Sequence, residues 1–363
     1  MTCELRVLDS DLQFAGVIDA PASCQLTREH YGTGSFQINV RAGEESIGSF
    51  VTPGHIIVIN NDGTRCGLVE DVELVSAQGT TPAMWKITGP SMKGLTNYRI
   101  TIPPTQEEDP EAYGFDRISA PAETAIKHYL RRNITEPTDT KRIMEQVVLE
   151  PDSGRGANAI WRSRHRNLAV ELQELSAYTE MGWTAFFDSV SDKIVFSVVP
   201  GADRTIGQTD NDPVVFSDKY ENLEKYNYKH SVKGYRTTGY CGGAGEDEQQ
   251  LIYTLGAEYY GRRRKEVFID CGNVDDVDEL RYYGSVKLSE HKEIISIDTD
   301  IVHNRTFLFE KNYFLGDFVS VNIGNLYFRT QIAGVKEVWE KGYKVQALFG
   351  DPRPTLAQVL RRT

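Results

Sequence analysis

The side chains best suited to nucleophilic or metal chemistry here are seven histidines and five cysteines, and their spacing argues against both uses. His30, His55, His128, His165, His230, His291 and His303 are scattered. No two stand four apart, so no helix face offers a pair of imidazoles to one ion. Cys3, Cys24, Cys66, Cys241 and Cys271 contain no Cys-x-x-Cys pair, which excludes a local zinc knuckle or redox motif. Reduced, structural thiols are the expected state. No Gly-x-Ser-x-Gly elbow holds a serine nucleophile. Gly242-Gly-Ala-Gly245 has the glycines of a phosphate cradle, but no Gly-Lys-Ser/Thr follows, and Glu246, Asp247 and Glu248 would repel a phosphate. Acidic residues are numerous enough to supply a glycosidase pair, yet abundance is not a motif. The expectation is a chain that is not an enzyme, with no catalytic, cofactor-binding or metal-binding residue and no cofactor.

Charge narrows the partners. Lys and Arg total 40 against 52 Asp and Glu, a net charge of −12. Phosphate binding needs concentrated basic residues to displace counterions, so sequence-specific nucleic-acid binding is disfavoured. Two basic clusters remain, Arg262-Arg-Arg-Lys265 and Arg162-Ser-Arg-His-Arg166, read as solvated arginines at element ends. No apolar run approaches the roughly 18 residues of a membrane span. Met1-Thr-Cys-Glu-Leu-Arg6 lacks the pattern of a secretion signal, so synthesis and retention in a cytoplasm are expected.

Several elements must position these groups. At roughly 150 residues per domain, 363 residues suggest two or three domains. Gly 31, Tyr 18 and Phe 15 against Met 5 lean toward strands and turns. Residues 1–98 read as short strands: Glu4–Leu8, Leu12–Ile18, Ser35–Val40, His55–Asn60 and Arg65–Val75, with Asn61-Asp-Gly63 as a hairpin turn. Their spacing predicts a small barrel or sandwich. Pro103–Pro110 is an acidic, proline-rich loop. Residues 99–213 then form an α+β stretch with two helices. The first is capped by Ser119, with Pro121 in its first turn and Ala122, Ala125, Ile126, Tyr129 and Leu130 on one face. The second spans about Asn167–Met181 and stops at Gly182; a hairpin of Trp183–Phe187 and Lys193–Val199 follows.

Residues 214–293 read as a second α+β stretch. It holds short strands at Val214–Phe216 and Asn227–Tyr235, a glycine-rich loop at Gly239–Glu248, strands at Gln249–Leu255 and Glu266–Asp270, and a helix from Asp275 to about His291. That helix carries Val277, Leu280, Gly284 and Leu288 on its stripe. Residues 294–363 return to alternating strands, with Glu340-Lys-Gly342 as the last hairpin turn. The two ends echo each other. Gly54-His-Ile-Ile-Val-Ile-Asn60 matches Gly316-Asp-Phe-Val-Ser-Val-Asn322, and Val69, Val72 and Val75 match Ile332, Val335 and Val338. Either this is shared β grammar, or it is a duplicated barrel bracketing two α+β insertions.

Three stretches carry a resemblance. They are Leu5–Leu12 running on to Ser35–Val40 and Gly54–Ile59; Tyr240–Glu246 with Arg263–Asp270 and the helix after it; and Tyr313–Val321 with Ile332–Val335. In this order the chain resembles phage tail-tip and baseplate hub proteins: the siphophage tail hub, related to the N-terminal structural part of tail-associated lysins, and the contractile-tail baseplate hub. The resemblance implies a mixed α+β, β-rich fold with two related small β-barrel domains (1–98 and 294–363) bracketing two α+β domains (99–213 and 214–293). It implies a homotrimer at the virion tail tip, closing the tail tube and leaving a channel for DNA or tape measure. The implied partners are the distal tail or tail tube protein, the tape-measure protein, and a tail fibre or receptor-binding protein. The chain stops soon after Phe349, where lysin-bearing relatives continue, so peptidoglycan cleavage is not carried over.

A β-rich carbohydrate-active enzyme or a cell-surface adhesin is the alternative reading, and a pocket of convergent carboxylates and aromatics would favour it. Two finer expectations follow. Pro354–Thr363 should form a short helix docking through Leu356, Val359 and Leu360. Glu107–Asp109 and Glu246–Glu248 should lie near an acidic channel that DNA slides through without sticking.

Overall fold

In the computed structural model, the described residues are 3–19, 21–43, 47–76, 83–108, 114–245, 249–272, 274–301 and 306–350. The expected helix at Pro354–Thr363, the acidic run Glu246–Glu248, Asp109 and His303 lie outside them.

Alternation builds the first sheet. Glu4–Leu8 exposes Glu4, buries Leu5, Val7 and Leu8, and pairs antiparallel with both Phe14–Asp19 and Ile56–Ile59. Asp62–Leu68 extends it beyond Ile56–Ile59. A second set of strands, Ser23–Glu29, Ser35–Arg41, Met84–Gly89 and Asp71–Val75, pairs antiparallel in that order. Cys24, Leu26, Phe36 and Ile38 from this set meet Leu5, Val7, Ile57 and Ile59 in one apolar cluster. Side chains at every second position make that shared core possible.

The other edge of Ser23–Glu29 is filled from the far end of the chain. Leu326–Trp339 pairs with it antiparallel, and also with Tyr343–Gly350 and Phe318–Ile323. The two ends therefore share one sheet. Among the described residues the strands trace open paths, where a separate small barrel at each end was expected. A barrel closes on its own edges, whereas Ser23–Glu29 leaves an edge that a strand about 300 residues away satisfies.

The chain divides into two compact units, Met1–Tyr226 with Asp298–Pro352, and Asn227–Ile297. The finer division at 98, 213 and 293 is not distinguished at this level.

In the first unit, Ala122–Leu130 is helical and buries Ala125, Ile126, Tyr129 and Leu130 as its spacing predicts. Ser119 does not cap it. It lies within the strand Asp116–Pro121, opposite Ile160, and Pro121 occupies the cap position. The helix Leu168–Thr179 is capped by Asn167, whose side chain accepts from the N–H of Val170. It ends on Glu180 in a left-handed conformation rather than on Gly182, which is already inside the strand Met181–Asp188. That strand pairs with Lys193–Pro200 as expected.

In the second unit, Thr238–Gly242 runs between Ile252–Leu255 and Glu266–Asp270. The glycines read as a loop from Gly239 are thus strand up to Gly242. Helix Val277–Ser289, capped by Asp276, buries Leu280, Gly284 and Val286, while Val277 is exposed. No helix among the described residues is long and apolar enough to cross a membrane.

Candidate functional site

The repeated sequence at Gly54 and Gly316 is a repeated backbone. Gly54 has φ 93° and Gly316 φ 94°. The N–H of His55 donates to the Thr52 carbonyl at 3.1 Å, and that of Asp317 donates to Phe314 at 3.2 Å. A four-residue turn with positive φ at its third position is the type II pattern, which glycine adopts without strain. Next, the N–H of Gly54 donates to Val69 and that of Val69 to His55, both at 2.8 Å. The N–H of Gly316 donates to Ile332 at 2.8 Å and that of Ile332 to Asp317 at 2.9 Å. In each copy two residues of one strand face one residue of the other, which is a β-bulge that bends the hairpin.

Both hairpins then close through two residues, Asn60-Asn61 between Ile59 and Asp62, and Gly324-Asn325 between Ile323 and Leu326. The first turn sits one residue earlier than Asn61-Asp-Gly63 suggests. Asn60 and Asn61 both take positive φ, which asparagine tolerates. Gly63 answers a different need: a Cβ there would lie 1.8 Å from the Phe187 carbonyl oxygen.

Buried charges join the two hairpins. Arg65, on the Gly54 hairpin, donates from Nε to Glu337 of the Gly316 hairpin at 2.9 Å and pairs with Asp62 and Glu310. Arg28 reaches Glu337 at 2.6 Å and Glu310 at 2.8 Å. Tyr343 donates its hydroxyl to Glu337 at 2.6 Å. The Glu337 side chain is 0% exposed. Burial opposes the charge on Arg65, and Glu337 with Glu310 more than offsets it, holding the guanidinium above its ordinary pKa. A single buried carboxylate between two arginines would be costly to unpair.

Behind Gly316 stands His30. A Cβ on Gly316 would lie 2.2 Å from this ring, and one on Gly182 would lie 2.1 Å from it. Burial, with the Lys93 charge adding to it, pushes His30 down to about 3, so the ring is neutral. Lys93 is buried beside it. Its ammonium donates to the Glu29 and His30 carbonyls at 2.9 and 3.3 Å and lies 4.2 Å from the centre of the Trp183 ring. Burial pushes Lys93 down to about 7. Neither residue stands out in the sequence. Only the approach of three distant segments gives them these surroundings.

The residues with conventional chemistry are not brought together. His55 contacts the Phe50 carbonyl at 3.0 Å, His128 pairs with Asp116 at 2.7 Å and His230 with Glu293 at 2.8 Å. Among the described residues no group of His, Cys, Asp and Glu could hold a metal ion. The buried carboxylates there are Asp116, Glu123, Glu171, Asp317 and Glu337. Each has a basic partner: Arg132 and His128, Lys127 and Arg155, Arg166, Arg204, and the two arginines above. Burial pushes Glu171 up despite Arg166, but this carboxyl is sealed from solvent beneath the Trp161 indole N–H.

Several members of both basic clusters are engaged internally. Arg162 and Arg164 lie over the Phe115 ring at 4.6 and 5.8 Å, and Arg166 pairs with Glu174 at 2.6 Å. Arg264 pairs with Glu266 at 2.7 Å, and Lys265 lies over Tyr235 at 5.0 Å.

Comparisons with solved structures identify the architecture. A 43 kDa tail protein of prophage MuSo2 from Shewanella oneidensis superposes with a TM-score of 0.60 at 12% identity, covering 96% of this chain and 98% of that one. A tail protein from Neisseria meningitidis MC58 gives 0.53 at 10% identity, with 97% of each chain covered. Prophage tail protein gp18 from Listeria monocytogenes EGD-e gives 0.53 at 12% identity, covering 99% of this chain and 97% of that one. At such identities the likeness is one of fold. No curated protein sequence matches the chain. The family model for siphovirus ReqiPepy6 Gp37-like proteins matches residues 4–351. With nearly its whole length inside that match and a fold shared with prophage tail proteins, the chain belongs to the siphovirus ReqiPepy6 Gp37-like family of phage tail proteins.

Proposed function

We propose that three copies of this chain form a ring that closes the distal end of a tail tube and connects it to the tail-tip parts that meet the host. The repeated glycine turn carries this reading. Each subunit holds two hairpins with the same turn, the same bulge and a two-residue closing loop. A threefold ring of such subunits offers six like elements, the number that lets it seat on a sixfold tube. In this reading 1–98 and 294–363 descend from one small β unit, and 99–213 and 214–293 are the α+β parts set between them.

The partners follow from that place. The tube or distal tail protein would bind one side of the ring, a fibre or receptor-binding protein the other, and the tape-measure protein and DNA would pass through the middle. The protein would be made in the host cytoplasm and end at the virion tail tip. The charge of −12 suits a wall that repels phosphates over about one Debye length, roughly 8 Å at physiological salt. Glu107 and Glu108 are exposed and available for that wall. The pairing of every described buried carboxylate with a base supports a structural role over a hydrolytic one.

Light scattering across a concentration series, with electron cryomicroscopy of assembled tails, tests the proposal. A trimer with the Gly54 and Gly316 hairpins alternating in six positions around an acidic channel is expected. A monomer with no threefold contact in assembled tails, or a neutral or basic channel wall, overturns it.

A further inference from the structure

Two arginines of the first unit stand side by side without an acid. Arg99 follows the helical turns Met92–Tyr98, and Arg142 ends the short turn Thr140–Arg142. Arg99 donates to the Tyr98 and Arg142 carbonyls at 3.1 and 3.0 Å. Arg142 donates to the Ile100 carbonyl at 2.7 Å and to the Asn133 side-chain oxygen at 3.3 Å. Asn133 is fully buried and also accepts from the N–H of Ile102, so the pair rests on a fixed base. Every one of these acceptors is a neutral amide. Arg28, Arg65 and Arg155 pair with carboxylates, whereas among the described residues neither Arg99 nor Arg142 does. The buried Nε of Arg99 has no hydrogen-bond partner. Burial and the charge of Arg99 hold Arg142 below its ordinary pKa, and Asp139 offsets only part of that.

Apolar side chains flank the pair in the chain. Arg99 is extended, and Ile100 bridges to Asn167. Thr101 is buried against the Ser163 hydroxyl, so alternation turns Ile100 and Ile102 outward. Tyr98, Ile100, Ile102 and Ile143 are between 38 and 51% exposed. Glu70 anchors the Tyr98 hydroxyl at 2.8 Å. Aromatic and arginine side chains with few acids characterise the centre of a protein interface.

We propose that a second copy of this chain docks on the patch, placing carboxylates of its own surface on Arg99 and Arg142 and apolar side chains on Tyr98, Ile100 and Ile143. The inference rests on the ring reading and deepens it by naming one side of the contact between neighbours. Charge selects the occupant. Each copy carries −12, so two copies repel wherever acid meets acid. Two unbalanced guanidiniums attract an acidic neighbour instead. The contact is heterologous. A patch meeting its own image would set arginine against arginine, whereas a patch meeting a different, acidic surface on the next copy can close into a ring.

Light scattering of the full chain over a concentration series gives the concentration of half assembly. Arg142→Glu should raise it about 30-fold or more. Added salt, from roughly 0.05 to 0.5 M, should raise it for the parent more than for the variant. Ile143 separates charge from packing, because Ile143→Asp and Ile143→Lys both remove its apolar contact. I143D should weaken assembly about tenfold more than I143K, and neither should shift the denaturant midpoint of the single chain. In assembled tails, electron cryomicroscopy should place the neighbour's carboxylates against Arg99 and Arg142. Threefold assembly with solvent or a different protein over these arginines, or with I143D and I143K equal, overturns the contact and leaves the ring standing. A chain that is single both in solution and in tails fails the ring reading itself, and the contact with it.

Discussion

The two glycine hairpins share a backbone and differ in what stands behind it. At Gly54 a Cβ would meet nothing within 4 Å; at Gly316 it would meet the His30 ring at 2.2 Å. Ahead of the bulge, one copy uses Pro53 and the other Leu315 at the second position of the turn. The φ values of the two glycines that follow nevertheless agree to within a degree. Conformation alone demands glycine at the first site, while conformation and packing both demand it at the second. The N-terminal copy keeps an open turn, and the C-terminal copy is built into the junction where His30, Lys93 and Trp183 meet.

Substituting both glycines breaks the comparison most sharply. Gly316→Ala combines positive-φ strain with a ring clash and should cost about 5 kcal/mol. Gly54→Ala carries the strain alone and should cost about 1 kcal/mol. Denaturant midpoints of the two variants give the difference. Adding His30→Ala to G316A should recover part of the larger loss, and equal losses for the single variants would erase the distinction.

Acid should weaken the Gly316 side next. Burial pushes His30 down to about 3 from its ordinary 6.5. Between those values the unfolded chain takes up a proton that the folded ring refuses. The contribution is therefore complete above pH 6.5 and is lost progressively as pH falls toward 3, amounting to about 5 kcal/mol at most. His30→Gln should flatten that part of the stability-against-pH curve, measured as its difference from the parent protein. Parallel curves would show that His30 is not the group responsible.

Cutting the clamp between the hairpins should cost somewhat less. Glu337→Gln leaves Arg28 and Arg65 facing a neutral amide while Glu310 still balances part of their charge. A loss of about 3 kcal/mol is expected by urea titration. A change within experimental scatter would mean the hairpins are held together by packing alone.

Much of the local structure was legible in the sequence. Glu4–Leu8, Glu266–Asp270 and the last hairpin turn at Glu340–Gly342 fall where alternation and turn chemistry place them. The echo was readable because positive φ and β-bulges leave glycine at fixed offsets from apolar positions. Serine at position 119 suits a helix cap but equally the strand it joins opposite Ile160. Glycine at position 182 fits a helix stop, but close packing against His30 also selects glycine, and sequence does not distinguish the two causes. The open strand paths, the Glu337 clamp and the buried Lys93 depend on pairings across most of the chain. No local pattern encodes a neighbour 309 residues away, the separation of Arg28 from Glu337.

That separation also orders events in time. Ser23–Glu29 leaves the ribosome about 300 residues before its partner strand Leu326–Trp339. At roughly 5–20 residues per second the early strand waits about 15–60 s for its mate. Throughout that interval it presents an unpaired edge, the kind of surface that aggregation and chaperones compete for. Only a chain synthesised past Trp339 can complete the central sheet. A prematurely terminated product thus lacks the strand that would let it pass as a finished subunit.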